Sequence, residues 1–386
     1  MSLKNIISYI FPLYIVLIYY GFGFASIGEW LLIFFSVLSF RGKLVKIKSL
    51  IFFIIFIFLY DLYIVFFNNF NLAQSFYNRE IFTLIKLFCI LIISSNIDFT
   101  IFKKSIYLIT IITCLGVIYH VILIYFGQSV STISFYAFEA SRFNEIVNRP
   151  LSIFPEPAAI VSFLIIPLYL LMNERKFIYS VLLSIIIILT TSSTGLVYLV
   201  IIWSFFFIKS SYSKLIKLFT IFILFFIVNQ YLTNDNLEFT SQKSLSEINE
   251  LRERGSLDDN IRLFSGPLLF STLSNTEIFF GLRSSSIDDY VYNSNNTSLS
   301  LLKIEDKVFL SSFWLIWASY GIIGLIIYLY LFFCFYKKNK KLAPLIFIFF
   351  TGMFIQKISV GPVFVFYMIF IITETNYKNI NSKLIQ

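Results

Sequence analysis

Charge is scarce in this sequence: only 13% of its 386 residues are Asp, Glu, Lys or Arg, against about 25% in an ordinary soluble domain. So thin a supply cannot coat a water-facing surface of that length. Cysteine is nearly absent too. Cys89, Cys114 and Cys334 all fall within apolar runs, which excludes a disulfide framework and a cysteine metal site. There is a single histidine, His120. No histidine cluster and no Asp-x-Asp pair stands among the polar segments, so neither a metal nor another cofactor is expected. No low-complexity tail and no internal repeat is visible. The alternating pattern of a membrane barrel is also missing.

What fills the sequence is hydrocarbon: 58% of residues are hydrophobic, with 49 Phe and 24 Tyr. Unbroken stretches such as Ile51–Leu59, Ile106–Ile112 and Val181–Leu189 lack a polar face. A soluble helix interrupts such runs every turn, whereas a bilayer does not require it. Backbone N–H and C=O groups in lipid must be paired internally, so runs this apolar become helices. The fold class expected is therefore all-α: a polytopic integral membrane protein of about 12 transmembrane helices. Spans are expected near 5–22, 25–40, 49–67, 80–95, 105–126, 157–172, 177–191, 195–208, 215–231, 309–335, 342–356 and 359–374. The first run follows Lys4 and shows no small-residue cleavage site before the next, so it reads as a retained helix. The segments 177–208 and 342–373 can each be read as one kinked element or as two.

Charge placement sets the orientation. The net charge is +9, but the basic residues sit in short loops between apolar runs, so nucleic acid is not expected as a partner. With Arg41, Lys43, Lys46 and Lys48 on the cytoplasmic side, the loops holding Lys103/Lys104, Arg175/Lys176 and Lys337–Lys341 fall there as well. Of the acidic residues only Asp98, Glu174 and Glu374 join them. Merging either doubtful pair of spans would invert the pattern downstream. The reading is a single domain over 1–386 in a bacterial cytoplasmic (inner) membrane, with both termini cytoplasmic and two large outer, periplasmic-side loops at 127–156 and 232–308. Within the larger loop, Leu245, Ile248 and Leu251 suggest a short amphipathic helix, and Ile261–Leu273 a segment lying along the membrane surface. Two charges remain inside spans, Asp61 and Lys86. Their similar depth in adjacent spans predicts a structural pair, since a charge at mid-membrane costs about 2.5–3.5 kcal/mol.

The outer loops hold the residues suited to chemistry. Arg149 opens the segment Arg149-Pro150-Leu151-Ser152-Ile153-Phe154-Pro155-Glu156-Pro157, where prolines fix the backbone just ahead of a span. A guanidinium engages two phosphate oxygens at once, and Glu156 can accept from a sugar hydroxyl or simply sit favourably at the helix start. Glu139, Arg142 and Glu145 lie in the same loop; Arg262 and Arg283 lie in the larger one. His120, inside a span, reads as a donor in helix packing.

The Arg149–Pro157 segment resembles the Arg-x-x-x-Phe-x-Glu-Pro stretch of Wzy-type O-antigen and capsule repeat-unit polymerases. Leu189-Thr190-Thr191-Ser192-Ser193-Thr194-Gly195 is similar to that family's Leu-Thr-x-Ser-x-Thr-Gly turn between two short spans. Arg262 with Phe280-Gly281-Leu282, and the glycine pair of Tyr320-Gly321-Ile322-Ile323-Gly324, resemble later motifs of the family in its order. The resemblance implies a membrane glycosyltransferase that polymerises undecaprenyl-diphosphate-linked oligosaccharide repeat units into O-antigen or capsular polysaccharide. It implies Arg149 and Arg262 at the diphosphate, Glu156 as base, and Arg142, Arg283, Glu139 and Glu145 as further substrate contacts. Its partners would be lipid-linked glycans, the bilayer, a chain-length regulator and a flippase. The alternatives are an O-antigen ligase, a flippase or transporter of the same glycans, and a non-catalytic scaffold. Ligases usually carry a loop histidine where Ser311 and Ser312 stand here, which favours the polymerase.

Overall fold

The computed structural model describes residues 2–22, 25–40, 44, 47–67, 80–131, 133, 149–209, 261–282, 286–293, 303–304, 307–308, 310–355 and 361–384. The chain is mostly helical. In order come α1 (Leu3–Ile10), α2 (Tyr14–Leu17), α3 (Ile27–Ser39), α4 (Lys48–Phe67), α5 (Glu80–Asn96), α6 (Phe99–Tyr125), α7 (Pro157–Asn173), α8 (Phe177–Leu189) and α9 (Ser193–Lys209). Then follow α10 (Ile261–Phe270), α11 (Asn275–Phe280), α12 (Ser286–Asn293), α13 (Ser312–Lys338), α14 (Ala343–Ile355) and α15 (Pro362–Leu384). Among the described residues the strands are two short antiparallel pairs, Gly21–Phe22 with Ala25–Ser26 and Lys303–Ile304 with Lys307–Val308.

Each expected span has a helix except 215–231, which lies outside the described residues, as does the amphipathic stretch around Leu245. Both doubtful segments resolve into two helices. Two helices, α6 and α13, are long and apolar enough by length and composition to cross a membrane, and the remaining described apolar helices are shorter. The first expected span is broken: a 3-10 turn at Phe11–Leu13 separates α1 from α2. Pro12 has no N–H to continue the ladder, and its ring crowds the preceding turn.

Local sequence sets several helix starts. Ser26 and Glu29 form a capping box on α3, with the Glu29 N–H donating to Ser26 Oγ at 3.1 Å and the Ser26 N–H to Glu29 Oε2 at 3.0 Å. Asp98 accepts from the N–H groups of Thr100 and Ile101 at the start of α6. Pro157 begins α7, where a missing N–H costs nothing.

The chain divides into two compact units: 1–202, 327–352 and 360–386 form the first, and 203–326 with 353–359 form the second. In the first unit, the middles of α7 and α15 are enclosed. Every residue from Ala159 to Leu170 and from Phe364 to Thr375 is buried. The Tyr367 hydroxyl donates to the Ser162 carbonyl at 2.8 Å, and the Tyr169 hydroxyl to Glu374 Oε1 at 3.2 Å. The equal sequence offset of these two bonds means the helices run parallel. Glu374, expected in a cytoplasmic loop, is thus packed inside the helix bundle. Around this centre lies α6, whose Phe102, Ile106, Ile109, Thr113, Val117 and His120 face inward. Its opposite stripe, Leu108, Ile111, Leu115, Ile118, Ile122 and Tyr125, is exposed, and α4 repeats the pattern with Phe52, Ile55, Phe58, Leu59 and Tyr63.

The Lys86 side chain departs from expectation. Its ammonium pairs with Glu29 Oε1 at 3.2 Å, both side chains being buried. The carboxylate comes from α3, which packs along α5, rather than from Asp61 on α4. Glu29 thus caps its own helix and neutralises its neighbour's charge with one side chain.

The second unit has its own core, in which Leu269, Leu273, Ile287, Val291, Leu310 and Ala318 are buried together. The segment expected to lie along a membrane surface packs into this core through Leu269 and Leu273. A Cβ on Gly266 would collide with the Trp314 ring, so glycine is what allows α10 to approach α13 so closely.

Candidate functional site

The residues from Arg149 to Glu156 form a turn pressed against α6. Within it Leu151, Ser152, Ile153 and Phe154 are all buried. Such backbone cannot leave its polar groups unpaired, and its partners are specific. The N–H groups of Leu151 and Ser152 both donate to His120 Nδ1, at 3.1 and 3.2 Å. The Ser152 hydroxyl donates to the Thr113 carbonyl at 2.9 Å, and the Ile133 N–H donates to the Ser152 carbonyl at 2.8 Å. Ser152 has a φ of 55°, a left-handed conformation rare for a residue with a side chain. Gly116 makes room for it, since a Cβ there would strike Ser152 Oγ.

His120 is therefore not the packing donor expected. An imidazole nitrogen that receives two N–H groups must carry a lone pair, so the ring is the neutral tautomer with its proton on Nε2. The sequence carries one signal for this role: a proline-bounded, non-helical stretch has N–H groups in search of acceptors, and His120 is the chain's single imidazole.

At one edge of the turn sits Arg149, half-buried, and at the other Glu156, exposed at the N-cap of α7. Glu156 makes no capping hydrogen bond with its side chain. Neither residue takes part in an ion pair among the described residues. Both charged ends are thus offered outward from a fixed backbone. Tyr19 packs edge-on against Phe154, with ring centroids 6.0 Å apart, closing the other side of the turn.

The Thr190–Gly195 turn between α8 and α9 meets the same helix end. A Cβ on Gly195 would lie 3.0 Å from the Val161 side chain, one turn into α7. Thr191 has a φ of 59°, and Ser192 Oγ accepts from the Gly195 N–H at 3.4 Å. Two of the segments singled out in the sequence are therefore neighbours in the first unit.

The other two meet in the second unit. The helix α13 is interrupted at Gly321, whose φ of 66° and ψ of −175° are not helical. Into this break comes the end of α11: a Cβ on Gly281 would lie 2.6 Å from the Gly321 N, and one on Gly321 would collide with the Phe279 carbonyl. The Leu282 N–H donates to the Ala318 carbonyl at 2.7 Å, and Trp317 Nε1 to the Ile278 carbonyl at 3.2 Å. Arg262 is the second residue of α10. Ser311 and Ser312, at the start of α13, are buried. Arg149 and Glu156 belong to the first unit and Arg262 to the second. Glu139, Arg142, Glu145 and Arg283 lie outside the described residues.

At the opposite end of α6 from His120, Lys103 pairs with Glu174 at 2.7 Å, and Lys176 reaches the same carboxylate at 2.8 Å. Partial burial raises the Glu174 carboxyl, but hydrogen bonds from the two lysines outweigh it and hold it below its ordinary value. Among the described residues no three His, Cys, Asp or Glu side chains gather as metal ligands would. In comparisons with known proteins no family model matches the chain, nor does any curated protein or solved structure.

Proposed function

We propose that this chain is a multi-span membrane glycosyltransferase that polymerises lipid-linked oligosaccharide repeat units on the outer face of a bacterial cytoplasmic membrane. The observation that carries the reading is the Arg149–Glu156 turn. A guanidinium and a carboxylate flank a backbone held by four hydrogen bonds, and neither spends its charge on the protein among the described residues. Preorganised charge of this kind is what stabilises a developing anion at no cost in rearrangement. The resemblance to repeat-unit polymerases gains support from the contact of Phe279–Gly281 with Gly321 and from the Thr190–Gly195 turn packing on α7, the helix that follows Glu156.

Membrane embedding finds support in the apolar stripes of α4 and α6, which are exposed among the described residues. Contiguous apolar surface on that scale is costly in water and ordinary in lipid. The shorter helices fit less simply: the 13 residues of α8 reach about 20 Å, against a hydrocarbon core of about 30 Å. Such helices reach across only with the polar turns at their ends, which is where Thr190–Gly195 and Glu174–Lys176 stand. The Lys103–Glu174–Lys176 cluster and the His120 turn occupy opposite ends of α6, as an inner basic end and an outer reactive end require.

In this reading the acceptor hydroxyl attacks the anomeric carbon of the growing glycan. The bond from that carbon to the diphosphate oxygen breaks, and its electron pair leaves with the lipid diphosphate. Glu156 takes the hydroxyl proton. Arg149 neutralises the leaving diphosphate, and the family resemblance implies the same role for Arg262. Loss of the gene should leave a single repeat unit on the surface glycan, seen on a gel, whereas loss of a ligase or flippase leaves none. Arg149→Ala and Arg262→Ala should each cut polymerisation by about 10²-fold, the loss typical of one anion-stabilising donor. Normal long chains from both variants would end the diphosphate assignment.

A further inference from the structure

We infer that His120 is the positioning residue of the anion site: its Nδ1 lone pair, by holding the Leu151 and Ser152 N–H groups, sets where Arg149 meets a polyprenyl diphosphate. The inference rests on the reading of Arg149 just given and adds to it a residue that touches no substrate. Only Pro150 separates Arg149 from the two held N–H groups, and its ring fixes the φ of that link. The clamp is dry, with His120 and Ser152 at 2% and 0% exposure. Water cannot replace the imidazole there, so a side chain lacking an acceptor leaves two buried donors unpaired. The turn would then have to move to satisfy them. Its left-handed Ser152 has no other hold on α6 than the Thr113 carbonyl and the space above Gly116. The consequence falls on Arg149, whose half-buried side chain has no protein partner to keep it in place among the described residues.

The chemistry supplies a discriminating set of variants. Asparagine places its carbonyl oxygen where Nδ1 stands, while glutamine reaches the place of Nε2. Phenylalanine keeps the volume and removes both nitrogens. Full-length protein in lipid nanodiscs is titrated with undecaprenyl diphosphate, and its unfolding temperature is recorded in parallel. Arg149→Ala and His120→Phe should each weaken binding by about tenfold, the loss of one charge-assisted hydrogen bond. His120→Asn should bind within about threefold of the wild type, and His120→Gln should bind as poorly as His120→Phe. A space-filling role for the ring would lower the unfolding temperature of His120→Phe without this split between Asn and Gln. Should His120→Phe fail to fold, Gly116→Ala disturbs the same turn from the facing helix and should weaken binding several-fold.

Wild-type affinity in His120→Phe or in a folded Gly116→Ala, or equal affinities for the Asn and Gln variants, overturns the positioning role while Arg149→Ala still binds weakly. Wild-type affinity in Arg149→Ala itself removes the anion contact, and with it both statements.

Discussion

At the scale of single residues, the buried Glu29–Lys86 pair shows how much one side chain can be asked to do. Glu29 closes the capping box of α3 and faces the Lys86 ammonium at 3.2 Å. Removing one member of such a pair strands the other charge in a dry interior. Lys86→Met should therefore destabilise the fold by about 3–5 kcal/mol. The double variant Glu29→Gln/Lys86→Met should recover most of that loss, because glutamine keeps the cap and carries no charge. Folded yield after mild detergent extraction measures both, and strictly additive losses would reject the pairing. Depth along a span correctly marks Lys86 as needing a partner. It does not select Glu29 over Asp61, because neighbouring helices are chosen by packing, and α3 is a contact of α5 that no local periodicity reveals. His120 was hidden for a related reason: its partners are backbone groups, which carry no sequence signature beyond the prolines around them.

At the scale of elements, apolar runs mark helices well, since hydrocarbon-rich stretches of this length have few other ways to pair their backbone. Both interruptions fall at a proline or glycine, Pro12 and Gly321. A glycine pair in a span can serve ordinary helix packing, so Tyr320–Gly324 alone does not announce a break. The contact that explains it comes from Phe279–Gly281, some forty residues earlier. Gly281 and Gly321 both have backbone angles, φ 84° with ψ 165° and φ 66° with ψ −175°, that are open in practice to glycine alone. A methyl group on Gly281 would strike the Gly321 backbone, and one on Gly321 the backbone of Phe279 and Phe280. Gly281→Ala or Gly321→Ala should cost about 3 kcal/mol in strain and displacement. Gly324→Ala, placed in regular helix, should cost far less. Thermal unfolding in detergent would distinguish them, and equal stability of all three variants would refute the account.

At the scale of the whole molecule, net positive loops and apolar helices are legible in composition, whereas the enclosure of particular helices is not. Over Ala159–Leu170 and Phe364–Ile372 the sequence is as apolar as α4 or α6, yet those stretches are buried throughout while α4 and α6 each expose an apolar stripe. The expected topology has a direct check. The ends of α6 stand about 40 Å apart at 1.5 Å per residue over 27 residues. In a variant freed of its native cysteines, Gln128→Cys should react with an impermeant maleimide added from the periplasmic side. Arg175→Cys should react only once the inner membrane is opened. Labelling of both from one side would reject the orientation. The burial of α15 also bears on how the molecule is made. The innermost strut of the first unit follows every other described helix, so a slot among α2, α5, α6 and α7 has to wait, unfilled, while the helices before it are translated. Until it is occupied, the Tyr169 hydroxyl and the Ser162 carbonyl have lost their intended counterparts, and the half-built protein is the form that quality-control proteases are best placed to recognise.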